Sequence, residues 1–137
     1  MPFKILDHTA DIRVGISGKT FEELLKSAAL GLMSLITDRE SVEAAEKIGF
    51  EVEGENGEEI LIRMLGEILY LHQAEKKVFR DIDIKLIATN KLQAVLHGEK
   101  TDPRRHELEL DIKAATYHNL KIVGANDRLM AEVVFDI

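Results

Sequence analysis

Three carboxylates at opposite ends of this chain are the groups best suited to chemistry. Asp11 closes the polar run Asp7-His8-Thr9-Ala10-Asp11, and the sequence ends Val134-Phe135-Asp136-Ile137. The side chain of Asp136 therefore adjoins the main-chain carboxylate of Ile137. If the first and last strands pair in one sheet, Asp11, Asp136 and Ile137 bring three negative groups to one point. Such a cluster repels itself unless a cation or shared protons neutralise it. An all-oxygen set suits a hard divalent ion, so the expected ligand is Ca²⁺, Mg²⁺ or Mn²⁺. Each residue has an ordinary reading as well. Asp11 can be a turn or cap carboxylate ahead of a strand, and Asp136 a solvated terminal acid. Strand alternation that buries Phe135 leaves Asp136 on the opposite face. His8 reads as a structural residue rather than a ligand, because neutral imidazole prefers softer metals.

The remaining candidates are weaker. His97, Asp102 and His106 match no firm metal spacing, and Asp102-Pro103 is a common turn pair, so a solvated loop is expected there. Arg104-Arg105 in that loop is the most basic spot on the chain and a candidate contact to a partner or nucleotide. Lys113, Tyr117 and His118 are conceivable as an acid–base set. Strand packing followed by a turn, with backbone partners for Tyr117 and His118, is the simpler reading. No phosphate loop, nucleophile elbow or dinucleotide fingerprint is present. Gly54-Glu55-Asn56-Gly57 lacks the lysine and hydroxyl of a nucleotide-cradling loop.

The elements that must position these groups follow from periodicity. Residues 3–6 read as a short strand. Ile12, Val14 and Ile16 alternate with Arg13, Gly15 and Ser17, which reads as a half-buried strand. Thr20 stands three residues before Glu23, the capping-box spacing. The helix after it carries Phe21, Leu24, Leu25, Ala28, Leu32, Leu35 and Ile36 on one face and should end near residues 37–38. Ile48, Phe50 and Val52 predict another strand. Glu58 and Glu59 favour a helix start through the macrodipole, and a well-buried helix is expected over 58–74. Beyond residue 77 the period becomes two. Hairpins are expected around Thr89-Asn90-Lys91 and around residues 124–128, and Leu108, Leu110, Ile112 and Ala114 predict a strand between them. Helices early and strands late give an α+β fold, one domain over 1–137, with mostly antiparallel sheet packed on two main helices.

Composition narrows the function. The chain has 137 residues, no cysteine and a formal net charge of −7. Disulfides, thiolate zinc sites and cysteine nucleophiles are excluded. The acidic balance argues against autonomous nucleic-acid binding, which favours a basic face, and fits a basic or mixed protein partner better. No apolar run approaches a membrane span and no signal-peptide pattern opens the chain, so a cytoplasmic protein is expected.

Four stretches in series carry a resemblance. They are His8-Thr9-Ala10-Asp11-Ile12, the helix centre Ala28-Ala29-Leu30-Gly31-Leu32, Lys113-Ala114-Ala115-Thr116-Tyr117-His118, and the closing Phe135-Asp136-Ile137. Glu67-Ile68-Leu69-Tyr70-Leu71 with Val78-Phe79-Arg80-Asp81 adds to them. Together they are similar to the archease family along almost the whole chain, with nothing family-specific in residues 42–57. The resemblance implies an accessory protein of the GTP-dependent tRNA-splicing RNA ligase, not itself an enzyme, that promotes guanylylation and turnover of the ligase. It also implies a metal site at Asp11, Asp136 and the carboxylate of Ile137. A chaperone-like modulator of another tRNA-processing or tRNA-modifying enzyme is the alternative. An independent metal-dependent hydrolase is a third reading, disfavoured because no nucleophile or general base stands out beside the carboxylates.

Overall fold

The computed structural model describes residues 11–137. The strand expected over residues 3–6, and His8 with it, lie outside the described residues. The elements run β1 (Asp11–Gly18), α1 (Phe21–Ile36), a 3₁₀ turn (Arg39–Ser41), β2 (Glu46–Glu53), α2 (Gly57–Glu75), β3 (Lys77–Ala88), β4 (Lys91–Lys100), β5 (Ala114–Thr116), β6 (Val123–Ala125) and β7 (Arg128–Asp136). The α+β class with two main helices and antiparallel sheet is as the sequence predicts.

Both helices begin with the same device. Thr20 Oγ1 accepts the amide of Glu23 at 3.1 Å, while Glu23 Oε1 accepts the amide of Lys19 at 2.9 Å. Asn56 Oδ1 accepts the amide of Glu59 at 2.9 Å, and Glu59 Oε1 accepts the amide of Glu55 at 2.8 Å. In each case the glutamate reaches one residue further back than the cap itself. Capping of this kind is worth about 1 kcal/mol per helix. The second helix ends at Lys76, whose left-handed backbone (φ 56°) lets its amide bond the carbonyl of Leu71.

Two antiparallel sheets flank the helices. In one, β7 is central: β1 pairs along one edge, and β5 and β6 pair with the two ends of the other. In the second, β4 lies between β2 and β3. Helix α1 packs on β1 and β7 of the first sheet and on β3 of the second, and α2 packs on β5 as well as on β2, β3 and β4. One continuous core results. Leu24, Leu25, Leu32, Leu61, Met64, Leu65 and Ile68 from the helices meet Ile82, Leu92, Leu96, Val133 and Phe135 from the sheets.

Two sequence expectations need correction. The alternating stretch before Ala114 is not a strand: only Ala114–Thr116 joins a ladder. Its backbone groups bond the ends and side chains of helices instead. The amide of Glu109 donates to Ile36 O (2.8 Å), Thr37 Oγ1 donates to Glu107 O (2.6 Å) and Gln73 Nε2 donates to Ile112 O (2.7 Å). Burial follows the alternation only in its second half, with Ile112 inside and Leu110 half-buried, whereas Leu108 is exposed. The last hairpin is also tighter than expected. Its turn is Asn126-Asp127 alone, with φ of 53° and 62°. This positive-φ pair matches the right-handed twist of the flanking strands.

Candidate metal centre

The register of β1 with β7 decides where the chain-end carboxylates go. Asp11 is the Cα partner of Asp136, Arg13 of Val134 and Gly15 of Glu132. Between them Ile12 pairs with Phe135 and Val14 with Val133. Phe135 and Val133 are buried, so this second set faces the core, and Asp11 and Asp136 share the outer face. Directly opposed residues in an antiparallel pair hold their Cβ atoms about 4.5–5.5 Å apart, and like charges there repel. The condition set by the sequence, that the first described strand and the last be neighbours, is met.

The other edge of β7 is fixed as firmly. Ala114 is the partner of Asp136 on that side, and the amide of Lys113 donates to Asp136 O at 2.8 Å. Thr116 Oγ1 donates to Val134 O at 3.0 Å. Asp136 thus has its backbone held from both sides while its side chain is exposed. The side chain of Ile137 packs against the core.

The two side-chain carboxylates in register on one face fit a hard divalent ion in type. Among the described residues there is no group of three or more His, Cys, Asp or Glu side chains arranged to hold a metal. Asp7 and His8 lie outside the described residues.

The other sequence candidates do not converge on this centre. His97 lies in β4 and bonds Asp83 Oδ2 on β3 through Nε2 at 2.6 Å, a contact that lowers the Asp83 pKa. His106 corrects the expectation of a solvated loop, since it is buried. Its Nδ1 accepts the amide of Asp102 (2.8 Å), so Nε2 carries the proton and donates to Glu99 Oε2 at 2.9 Å. Glu99 also receives two bonds from Arg105 and the amide of Glu43. Its pKa falls to about 2, chiefly through the bonds from Arg105, against the opposing effect of burial. Arg105, offered by the sequence as a partner contact, is engaged in this internal clasp. Lys113 contributes its amide, as described. Tyr117 is exposed at the start of a turn whose Leu120 amide bonds the Tyr117 carbonyl at 2.9 Å. His118 has Asn119 Nδ2 within 3.4 Å of its Nε2, so a side-chain neighbour stands where a backbone partner was expected.

Two residues of the outer face escape a motif reading. Arg13 and Glu132 form an ion pair at 3.5 Å on the same face as Asp11 and Asp136. The alternation 11, 13, 15 in the sequence was the available signal, but the pairing partner on β7 was not.

Comparison with known proteins bears on the family and the fold. The model of the Archease protein family matches residues 3–137. The protein archease of Pyrococcus abyssi is 42% identical over 135 residues, covering 96% of this chain and 95% of its own. That of Methanopyrus kandleri is 37% identical over 140 residues and covers 100% of both. The solution structure of protein 1598 of Methanobacterium thermoautotrophicum superposes with a TM-score of 0.77 at 28% identity, covering 96% of each chain. The crystal structure of a Thermotoga maritima protein, described as an archease and possible chaperone, gives a TM-score of 0.71 at 28% identity, covering 100% of this chain and 98% of that one.

Proposed function

The chain belongs to the Archease protein family, and from that premise we propose that it is a non-catalytic accessory protein of the GTP-dependent tRNA-splicing RNA ligase, promoting the guanylylation and repeated turnover of that enzyme. Asp11, Asp136 and the main-chain carboxylate of Ile137 hold a divalent ion, Ca²⁺, Mg²⁺ or Mn²⁺. The observation that carries this reading is the Asp11–Asp136 register, which puts two carboxylates opposite each other on a non-core face. When bound, such an ion offsets phosphoryl charge and orients a nucleotide triphosphate.

The chain's own residues supply placement. The ladder and the Lys113 amide hold the Asp136 backbone rigid, and Phe135 and Ile137 anchor the last turn of chain in the core. A carboxylate site on a rigid strand end presents its ion to a partner with little ordering cost. The net charge of −7 favours a protein partner over direct RNA binding. No helix among the described residues is long and apolar enough to cross a membrane.

The chaperone-like reading draws on the description of the Thermotoga relative. It predicts suppression of aggregation that is indifferent to Asp11. The test is guanylylation of the ligase with GTP and Mn²⁺, with and without this protein. Faster formation of the ligase–guanylate adduct with unmodified protein, lost with Asp11→Ala, supports the accessory role. An unchanged rate, with suppression of ligase aggregation by both proteins, supports the alternative.

A further inference from the structure

Arg13 stands at a fork. It lies opposite Val134, so its diagonal neighbours on β7 are Glu132 on one side and Asp136 on the other. Asp11 is two residues back on the same strand and the same face. Diagonal neighbours in a sheet lie about 7–8 Å apart, within reach of a long side chain. One guanidinium thus has three carboxylates within its swing. It takes Glu132, with Nη1 3.5 Å from Oε1, and pairs with neither Asp11 nor Asp136. Space favours that choice. The residue directly opposite Glu132 is Gly15, and no atom lies within 4 Å of the place a Cβ would occupy there. The Arg13–Glu132 contact therefore meets no competing side chain from position 15.

A resident cation that moved to Asp11 and Asp136 would neutralise the same charge that a metal ion uses. We propose that Glu132 is a positioning residue that parks Arg13 away from the carboxylate pair and so keeps the pair available to a divalent cation. This rests on the metal reading of Asp11 and Asp136. Both Arg13 and Glu132 are about half exposed, so the contact is a weak one that a single substitution can tip. Glu132 acts through Arg13 and touches no ion.

Mn²⁺ titration of the whole protein, followed by calorimetry or by the electron-spin signal of free Mn²⁺, tests the idea in four proteins plus a reference. Glu132→Gln should weaken Mn²⁺ binding by about two- to fivefold, the range set by a surface ion pair. Arg13→Gln should bind at least as tightly as the unmodified protein. In the Arg13→Gln background the effect of Glu132→Gln should shrink towards none. Equal weakening in both backgrounds overturns the proposal, because it makes Glu132 a simple source of negative potential. The reference is Asp11→Asn. If the unmodified protein binds Mn²⁺ and Asp11→Asn does not, the metal reading stands whatever the Arg13–Glu132 cycle shows. If the unmodified protein binds no Mn²⁺, both fall.

Discussion

Asp11 and Asp136 face each other across the β1–β7 ladder, on the side of the sheet away from Phe135 and Val133. Among the described residues neither carboxylate has a cationic side chain in ion-pair contact, while Arg13 on the same face is held by Glu132. Two like charges in directly opposed positions oppose folding of the metal-free chain.

Asp11→Asn should therefore cut divalent affinity and at the same time raise the stability of the metal-free protein, by about 0.2–1 kcal/mol. Thermal unfolding with EDTA and with CaCl₂ measures both. The unmodified protein should melt higher with Ca²⁺ through mass action, and Asp11→Asn should not respond. A variant that keeps the full Ca²⁺-dependent rise would remove Asp11 from the site.

Displacing the main-chain carboxylate is a separate lever. A chain extended by Gly-Gly beyond Ile137 keeps every side chain and the Phe135 and Ile137 packing but moves the charge. Ca²⁺ binding should drop while the EDTA melting temperature stays within about 2 °C, since surface changes rarely exceed ±0.5 kcal/mol. Retained affinity would show that the main-chain group is not a ligand.

Glu99 sets an acid limit. Its carboxyl sits at about 2 in the folded protein, below its ordinary 4.5, because Arg105 bonds the charged form. A group depressed on folding adds stability above its unfolded pKa and loses it as pH falls through the folded value. The clasp should thus contribute fully above about pH 5 and fade between 4.5 and about 2. Allowing for the exposure of Arg105, this amounts to roughly 2–3 kcal/mol at neutral pH. Urea unfolding of the unmodified protein and Glu99→Gln should show a gap of that size at pH 7 that closes towards pH 2. A pH-independent gap would mean packing, not ionisation, is what the substitution removes.

Glycine positions should separate cleanly. A Cβ on Gly98 would run into Val78 O and the Phe79 backbone at the β3–β4 irregularity, whereas Gly15 meets nothing within 4 Å. Gly98→Ala should cost more than about 2 kcal/mol, and Gly15→Ala within about 0.5 kcal/mol of neutral. Chemical denaturation of the two variants checks this, and similar midpoints would contradict it.

Local chemistry was readable wherever one short stretch specified one partner. Thr20 with Glu23, and the alternation around Ile12 to Ile16, carry their own partners within a few residues, and the structure agrees. Asp11 and Asp136 were legible as candidates because their residue types and strand phase are local. Their meeting depends on β7 pairing with β1, which no local pattern dictates. Residues 107–113 show the same limit: the alternation matches burial at Leu110 and Ile112 but not at Leu108, and the amide of Glu109 bonds the end of α1 rather than a strand. The burial of His106 is not legible locally, because its partner Glu99 lies across a turn that the chain closes only when folded.

Ligase turnover tests the central claim most directly. The source organism's RNA ligase would be given excess broken RNA, GTP and Mn²⁺, with unmodified protein or Asp11→Ala. Multiple turnovers with the unmodified protein, and about one turnover per ligase with Asp11→Ala, is the expected result. Equal stimulation by both would contradict the role of the carboxylate site, and no stimulation by either would contradict the accessory role itself.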